Sequence, residues 1–142
     1  MDEKILLLVE DNADDELMIL RALKKNNIKN KVVVLRDGAQ ALDYFFGQDK
    51  NSSRPLPQLV LLDLKLPKVD GLEVLKRLRS EEKTKFLPVV ILTSSGEPRD
   101  LVEGYAAGAN SYVRKPVDFN QFAEAVRQLG LYWLILNETP RR

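Results

Sequence analysis

The sequence contains no cysteine and no histidine among its 142 residues. Without cysteine, disulfide bonds, thiolate catalysis and cysteine-based metal sites are excluded. Without histidine, the usual general base and the usual transition-metal ligand are missing as well. Any chemistry of this chain must therefore come from carboxylates, hydroxyls, lysines and the backbone.

A surplus of charge is also missing, because the formal net charge is only +1. A nucleic-acid partner is therefore not expected, since no basic excess is available to neutralise phosphates. No apolar run is long enough to span a bilayer, and the acidic start, Met1-Asp2-Glu3-Lys4, is unlike a signal peptide. We expect a cytoplasmic protein of one domain with no membrane partner.

The sequence does contain five short apolar runs, each of which is too short for a helix and predicts a strand. Apolar residues at helical spacing follow each run. Five strands that alternate with five helices predict βαβ units, and therefore an α/β fold with one doubly wound, five-stranded parallel sheet covered on both faces. The predicted strands are residues 5–9, 32–35, 59–62, 88–92 and 111–113.

Polar residues follow these apolar runs where each predicted strand ends. They are Glu10 and Asp11, Asp63, Thr93 and Lys115. Because all strands of a parallel sheet point the same way, we expect these residues to share one edge of the sheet, where open α/β sheets bind ligands.

The residue types at this edge suit a divalent cation and a phosphoryl group. Neighbouring carboxylates repel one another, and oxygen ligands without histidine or cysteine favour Mg²⁺. A lysine and a hydroxyl placed opposite suit a phosphoryl group. Because an aspartate is ordinarily ionised at neutral pH, Asp63 is a candidate nucleophile that would form an acyl phosphate.

At these positions the sequence resembles the receiver domains of two-component response regulators, a flavodoxin-like fold. The resemblance extends from about Lys4 to Leu129. It implies a single receiver domain over 1–142, with a core of about 4–129 and a short apolar C-terminal extension, 130–142. The matching segments are Leu8-Val9-Glu10-Asp11-Asn12, Leu62-Asp63-Leu64-Lys65-Leu66-Pro67, Asp70-Gly71, Leu92-Thr93-Ser94, Gly108-Ala109-Asn110 and Lys115-Pro116.

Within this family the chain looks most like the small, stand-alone regulators that partner bacterial phytochromes. Three features carry this narrower resemblance: Ala41-Leu42-Asp43-Tyr44-Phe45, the longer loop that leads to Pro57, and the tail Leu129-Gly130-Leu131-Tyr132-Trp133.

The resemblance implies a phosphoacceptor and a set of metal ligands. Asp63 would accept the phosphoryl group and contribute to the Mg²⁺ site. Asp11 would bind Mg²⁺ directly, Glu10 would reach it through water, and the backbone carbonyl of Lys65 would complete the protein's share. Glu10 departs from the commonest family pattern, which has aspartate there, so the water shell of the metal is in question while the charge is kept.

The resemblance also implies groups that respond to the phosphoryl group. Thr93 would donate its hydroxyl to a phosphoryl oxygen. Lys115 would pair with Asp63 and then with the phosphoryl group, and its bond to Pro116 is expected to be cis. Tyr112 would be the aromatic switch that moves inward together with Thr93.

The expected function is a phosphorylation-dependent signalling switch rather than an enzyme. A sensor histidine kinase, of the phytochrome type, would phosphorylate Asp63, and the domain would assist its own Mg²⁺-dependent phosphorylation and dephosphorylation. No DNA-binding segment follows, so output is expected through protein contacts or onward phosphotransfer. The apolar run Leu131-Tyr132-Trp133-Leu134-Ile135-Leu136 either folds back over the domain or supports a homodimer through the fourth helix, fifth strand, fifth helix and tail.

Three alternatives remain at this point. A phosphatase or mutase that forms an aspartyl phosphate normally carries a second aspartate two residues after the nucleophile, where this chain has Lys65. A flavodoxin-like flavin binder would place a phosphate beside the acids that follow the first strand, among them Asp14 and Asp15, which would repel it. A non-phosphorylated pseudo-receiver is disfavoured because every expected residue type is present.

Overall fold

The computed structural model describes residues 4–47, 54–115 and 118–136, together with 138 and 140. Its five strands form one parallel sheet in the order β2-β1-β3-β4-β5, which confirms the predicted fold class. The strands are β1 (Ile5–Val9), β2 (Lys31–Leu35), β3 (Leu59–Leu62), β4 (Val89–Thr93) and β5 (Ser111–Arg114).

Five α-helices connect and follow the strands, and most of them begin at an acidic or amide cap. The side chain of the capping residue accepts a hydrogen bond from the first turn of α1, α2, α3 and α5, while α4 has a proline in its first turn instead. The helices are α1 (Ala13–Lys25), α2 (Gly38–Phe46), α3 (Gly71–Ser80), α4 (Pro98–Ala106) and α5 (Phe119–Leu129), after which the backbone is π-helical over Gly130–Leu136.

The sheet is buried on both faces. In β1, Leu7 and Val9 pack on one side with α2 and α3, whereas Leu6 and Leu8 pack on the other with α1 and α5. All residues of β1, β3 and β4 are buried, as expected for central strands of a parallel sheet. The rigid core therefore fixes where each of these strands ends, and so where the polar residues that follow them lie.

Helix α4 turns a glycine towards the sheet and apolar side chains towards solvent. Gly104 is the buried residue of this helix, and a Cβ added there would lie 2.7 Å from Ile91 Cδ1 and 3.3 Å from Tyr112 Cδ2. Leu101, Val102 and Tyr105 are exposed. The helix thus lies close to β4 and β5 and leaves an apolar outer face.

The tail is divided between the core and the surface. Trp133 and Leu134 are partly buried and pack against the core on the α1 and α5 side, and the Gln58 side chain donates to the Leu134 carbonyl at 2.8 Å. Leu131 and Tyr132 are exposed. No helix in the described part of the chain is long and apolar enough to cross a membrane.

Candidate functional site

Three carboxylates converge at the carboxyl edge of the sheet. Glu10 and Asp11 follow β1, and Asp63 follows β3, which pairs with β1 in a register that sets Val9 opposite Leu62. One oxygen from each carboxylate lies within 4.8 Å of the others. Three oxygen donors at this spacing, without nitrogen or sulfur ligands, fit a hard divalent cation such as Mg²⁺ or Mn²⁺.

Lys115 reaches this group from the end of β5. Its Nζ donates to Glu10 Oε1 at 2.5 Å, to Asp15 Oδ2 at 3.0 Å and to Asp63 Oδ2 at 3.1 Å. Its backbone N–H donates to the Thr93 carbonyl at 2.7 Å, which ties the lysine to β4. An ammonium group has three N–H donors, and here each of them faces a different carboxylate.

The site contains more acidic than basic side chains, and burial together with this imbalance shifts the pKa values of Glu10 and Lys115. Burial raises the pKa of Glu10 to about 7, and the charge of Asp63 adds to this rise against the hydrogen bond from Lys115. Burial alone would lower the pKa of Lys115, but its hydrogen bond to Glu10 and the charge of Asp63 outweigh it and raise that pKa. Both shifts mean that the site favours additional positive charge, whether a proton or a metal ion.

The Asp63 carboxylate is held from both sides. Asp63 Oδ1 accepts from the Lys65 backbone N–H at 3.3 Å, while Oδ2 faces Lys115. Gly71 closes the loop behind it, because its N–H donates to the Leu64 carbonyl and an added Cβ would lie 2.2 Å from the Asp63 carbonyl oxygen. Gly71 is therefore a packing requirement of this turn, whereas Asp70 before it caps α3.

Thr93 and Tyr112 both contact the loop between β4 and α4. Thr93 is fully buried, and its Oγ1 accepts from the Ser95 N–H at 3.4 Å. The Tyr112 hydroxyl donates to the Ser95 carbonyl at 3.1 Å. One short loop thus links the two residues assigned to the switch. Pro116 lies outside the described residues, so the expected cis bond before it stays a prediction.

Sequence reasoning missed two polar residues here. Asp15 contacts Lys115, and the Ser95 hydroxyl donates to the Asp100 carboxylate. The signal for Asp15 was its place in the first turn of a helix that begins at the sheet edge. That position alone did not separate it from Asp14, which is exposed.

The chain matches the model of the response regulator receiver domain over residues 6–127. It belongs to that family. This receiver domain is 42% identical over 139 residues to the probable methanogenesis regulatory protein FilR2 of Methanothrix harundinacea, a match that covers 98% of this chain and 89% of FilR2.

The structural comparisons agree with the sequence comparisons. The phosphorylated cyanobacterial phytochrome response regulator RcpA superposes with a TM-score of 0.90 at 34% identity, covering 99% of this chain and all (100%) of RcpA. The Mn²⁺-bound form of response regulator Rcp1 superposes with a TM-score of 0.88 at 34% identity, covering 97% of this chain and 99% of that one. Rcp1 of Synechocystis sp. is also 35% identical over 131 residues, which span 92% of this receiver domain and 89% of Rcp1. The narrower resemblance to phytochrome response regulators is thereby confirmed.

Proposed function

We propose that this receiver domain accepts a phosphoryl group on Asp63 from a partner histidine kinase of the phytochrome type, and passes the signal on through protein contacts. The observation that carries this proposal is the position of the Asp63 carboxylate, which adjoins two further acids and the buried ammonium of Lys115. The likeness to RcpA and Rcp1 supports the choice of kinase class. We further propose that the chain acts in the cytoplasm as one domain with 130–142 as its extension.

The reaction is an in-line phosphoryl transfer. A carboxylate oxygen of Asp63 attacks phosphorus, the P–N bond of the donor phosphohistidine breaks, and its electron pair leaves with the imidazole nitrogen. Lys115 donates N–H hydrogen bonds to the oxygens of the transferred phosphoryl group and neutralises part of their negative charge. Glu10, Asp11, Asp63 and the Lys65 carbonyl would hold Mg²⁺, which when bound supplies further neutralisation of that charge.

The surroundings of Asp63 favour a phosphoacceptor over an enzyme that turns over small phosphoesters. Two residues after Asp63, where such enzymes carry an acid, the Lys65 side chain is 72% exposed and lies 3.7 Å from Asp100. It offers no carboxyl group to protonate a leaving group. The acids at the sheet edge likewise disfavour binding of a flavin phosphate at this position.

The direct test is uptake of phosphate from acetyl phosphate, followed by intact-protein mass spectrometry. We expect a mass increase of one phosphoryl group in the presence of Mg²⁺ and none after chelation. Failure to gain mass with Mg²⁺ present, in a folded sample, would overturn the proposed function.

Divalent metal binding should depend on Asp11 more than on Glu10. Glu10 is buried and already bonded to Lys115, whereas Asp11 is exposed. We expect Glu10→Ala, which removes a group that acts through water, to weaken Mg²⁺ binding about tenfold. Asp11→Ala, which removes a direct ligand, should weaken it more. Calorimetric titration measures both, with Asp14→Ala as a control that removes a nearby exposed charge. Equal losses in the two variants would contradict the ranking.

The outer face of α4 supports a homodimer through α4, β5, α5 and the tail. Leu101, Val102 and Tyr105 are 41%, 67% and 50% exposed on one helix. Such an apolar patch is typical of a contact surface. Tyr112 lies beneath this helix, against Gly104, so an inward turn of its ring on phosphorylation would alter the patch and strengthen the dimer.

Sedimentation at tens of micromolar, roughly the range of weak regulatory affinities, tests the dimer with and without the phosphoryl mimic beryllofluoride. We expect a monomer–dimer equilibrium that shifts to the dimer with the mimic and is lost in Leu101→Glu. Leu17→Glu is the matched control, because Leu17 is 50% exposed on α1, a helix that is not part of the proposed dimer face. A chain that stays monomeric under both conditions would exclude this dimer.

A further inference from the structure

The Asp15 side chain forms an ion pair with Lys115, although Asp15 is neither the proposed phosphoacceptor nor one of the proposed metal ligands. Its Oδ2 lies 3.0 Å from Lys115 Nζ, and its side chain is 32% exposed, compared with 1% for Glu10 and 9% for Asp63. It projects from the first turn of α1, where its own backbone N–H donates to the cap residue Asn12. A change in its side chain therefore leaves the helix cap intact.

A phosphoryl group on Asp63 adds negative charge beside a lysine whose three N–H donors are already used. The donor that faces Asp63 can turn to one phosphoryl oxygen, but a second bond requires Lys115 to release another carboxylate. Glu10 is buried, and releasing its Oε1 would leave this carboxylate with the Asn12 N–H as its remaining protein hydrogen bond, at high cost. Asp15 is partly exposed, so water can solvate its carboxylate once it is released.

We propose that Asp15 is a positioning residue that holds Lys115 in the resting state and is displaced when the phosphoryl group arrives. The inference rests on the proposed function, since it assumes that Asp63 is the acceptor. The Asp15–Lys115 pair stabilises the unphosphorylated site only, and its loss on phosphorylation opposes the active state. Phosphorylation is thereby linked to the start of α1, a helix that packs against α5.

Beryllofluoride titration at saturating Mg²⁺, followed by fluorine NMR, tests this role. We expect Asp15→Asn to bind the mimic about two- to fivefold more tightly than the wild type, in line with the loss of one partly exposed charge pair. Asp15→Glu should bind nearly as the wild type does, because it keeps the charge. Asp14→Asn is the matched control: it removes the same charge from the same helical turn at an exposed position, and we expect it to behave as the wild type.

A second measurement needs no variant. In the wild type, the carbon-13 resonance of the Asp15 carboxyl should shift towards that of the solvated Asp14 carboxyl when beryllofluoride binds. An unchanged Asp15 resonance, or equal affinities of Asp15→Asn and the wild type, would overturn the displacement. If the wild type itself binds no beryllofluoride with Mg²⁺, the proposed function fails and this inference fails with it.

Discussion

We expect the Asp63→Asn variant to take up no phosphoryl group from acetyl phosphate while remaining folded. The amide oxygen can still accept the hydrogen bond from the Lys65 N–H, so the local turn is kept. The amide is not a nucleophile towards phosphorus, because it carries no anionic oxygen. Uptake should fall below detection in the same mass-spectrometric assay that detects it in the wild type.

The thermal stability of this variant in metal-free buffer should equal or exceed that of the wild type. The charge of Asp63 is one cause of the raised pKa of Glu10, which shows that the acids of the site repel one another. Removing one acid relieves this repulsion, and Lys115 keeps Glu10 and Asp15 as partners. Thermal unfolding followed by circular dichroism measures the outcome.

Asp37→Asn is the matched control for both measurements. Asp37 is an aspartate with the same 9% side-chain exposure as Asp63, but it caps α2 and pairs with Lys68. Asparagine caps helices as well as aspartate does, so this variant should fold and take up phosphate. If Asp63→Asn gains phosphate at the wild-type rate, the acceptor is a different residue.

The convergence of the site could be predicted because strand direction alone determines it. Short apolar runs locate the strands, the βαβ alternation makes them parallel, and parallel strands end at one edge. Glu10, Asp63 and Lys115 lie within hydrogen-bonding distance there, although 105 and 52 residues separate the lysine from the two acids. The topology of the backbone was therefore sufficient to predict that these three side chains meet.

Features that depend on the rotation of a helix about its axis could not be predicted in the same way. The spacing of Leu17, Leu20 and Leu23 indicates an apolar side of α1, yet Leu17 is 50% exposed. The contact of Asp15 with Lys115 depends on the same rotation, which the packing of α1 against α5 fixes. The spacing of residues along the chain does not show how α1 packs against α5, so the contact of Asp15 could not be predicted from it.

The orientation of helix α4 is a second feature that could not be predicted from the sequence. Apolar residues at helical spacing normally face the core, but the close approach of α4 to the sheet leaves room there only for Gly104. The tail divides in a comparable way, with Trp133 packed on the core and Tyr132 exposed. Which apolar side chains are buried therefore depends on the distance between two packed elements. The apolar pattern of a single helix or tail does not contain that distance.

Replacing Lys115 with methionine should destabilise the fold strongly in metal-free buffer above about pH 8. The Lys115 side chain is 4% exposed, and its removal leaves the buried carboxylates of Glu10 and Asp63 without a cation. Breaking a buried ion pair by removing one partner costs about 3–5 kcal/mol in the free energy of unfolding. Urea unfolding of the wild type and the variant measures this difference.

The loss should shrink as the pH falls or as Mg²⁺ is added. Burial already raises the pKa of Glu10 from 4.5 to about 7, and without the lysine that pKa should rise further. A carboxyl with a raised pKa in the folded state binds its proton more tightly there than in the unfolded chain, so protonation stabilises the fold. The difference between wild type and variant should therefore be largest above about pH 8 and decrease towards about pH 5. Mg²⁺ should act in the same direction at constant pH, because it binds the folded site and supplies the missing charge.

Two controls separate this electrostatic cause from a loss of packing. Lys115→Arg keeps the charge and should lose much less stability than Lys115→Met. Lys68→Met breaks a pair with Asp37 in which the lysine side chain is 70% exposed, so it should cost less than about 1 kcal/mol. If the destabilisation of Lys115→Met does not change with pH or Mg²⁺, the lysine acts through its packing, and the unpaired acids are not the cause of the loss.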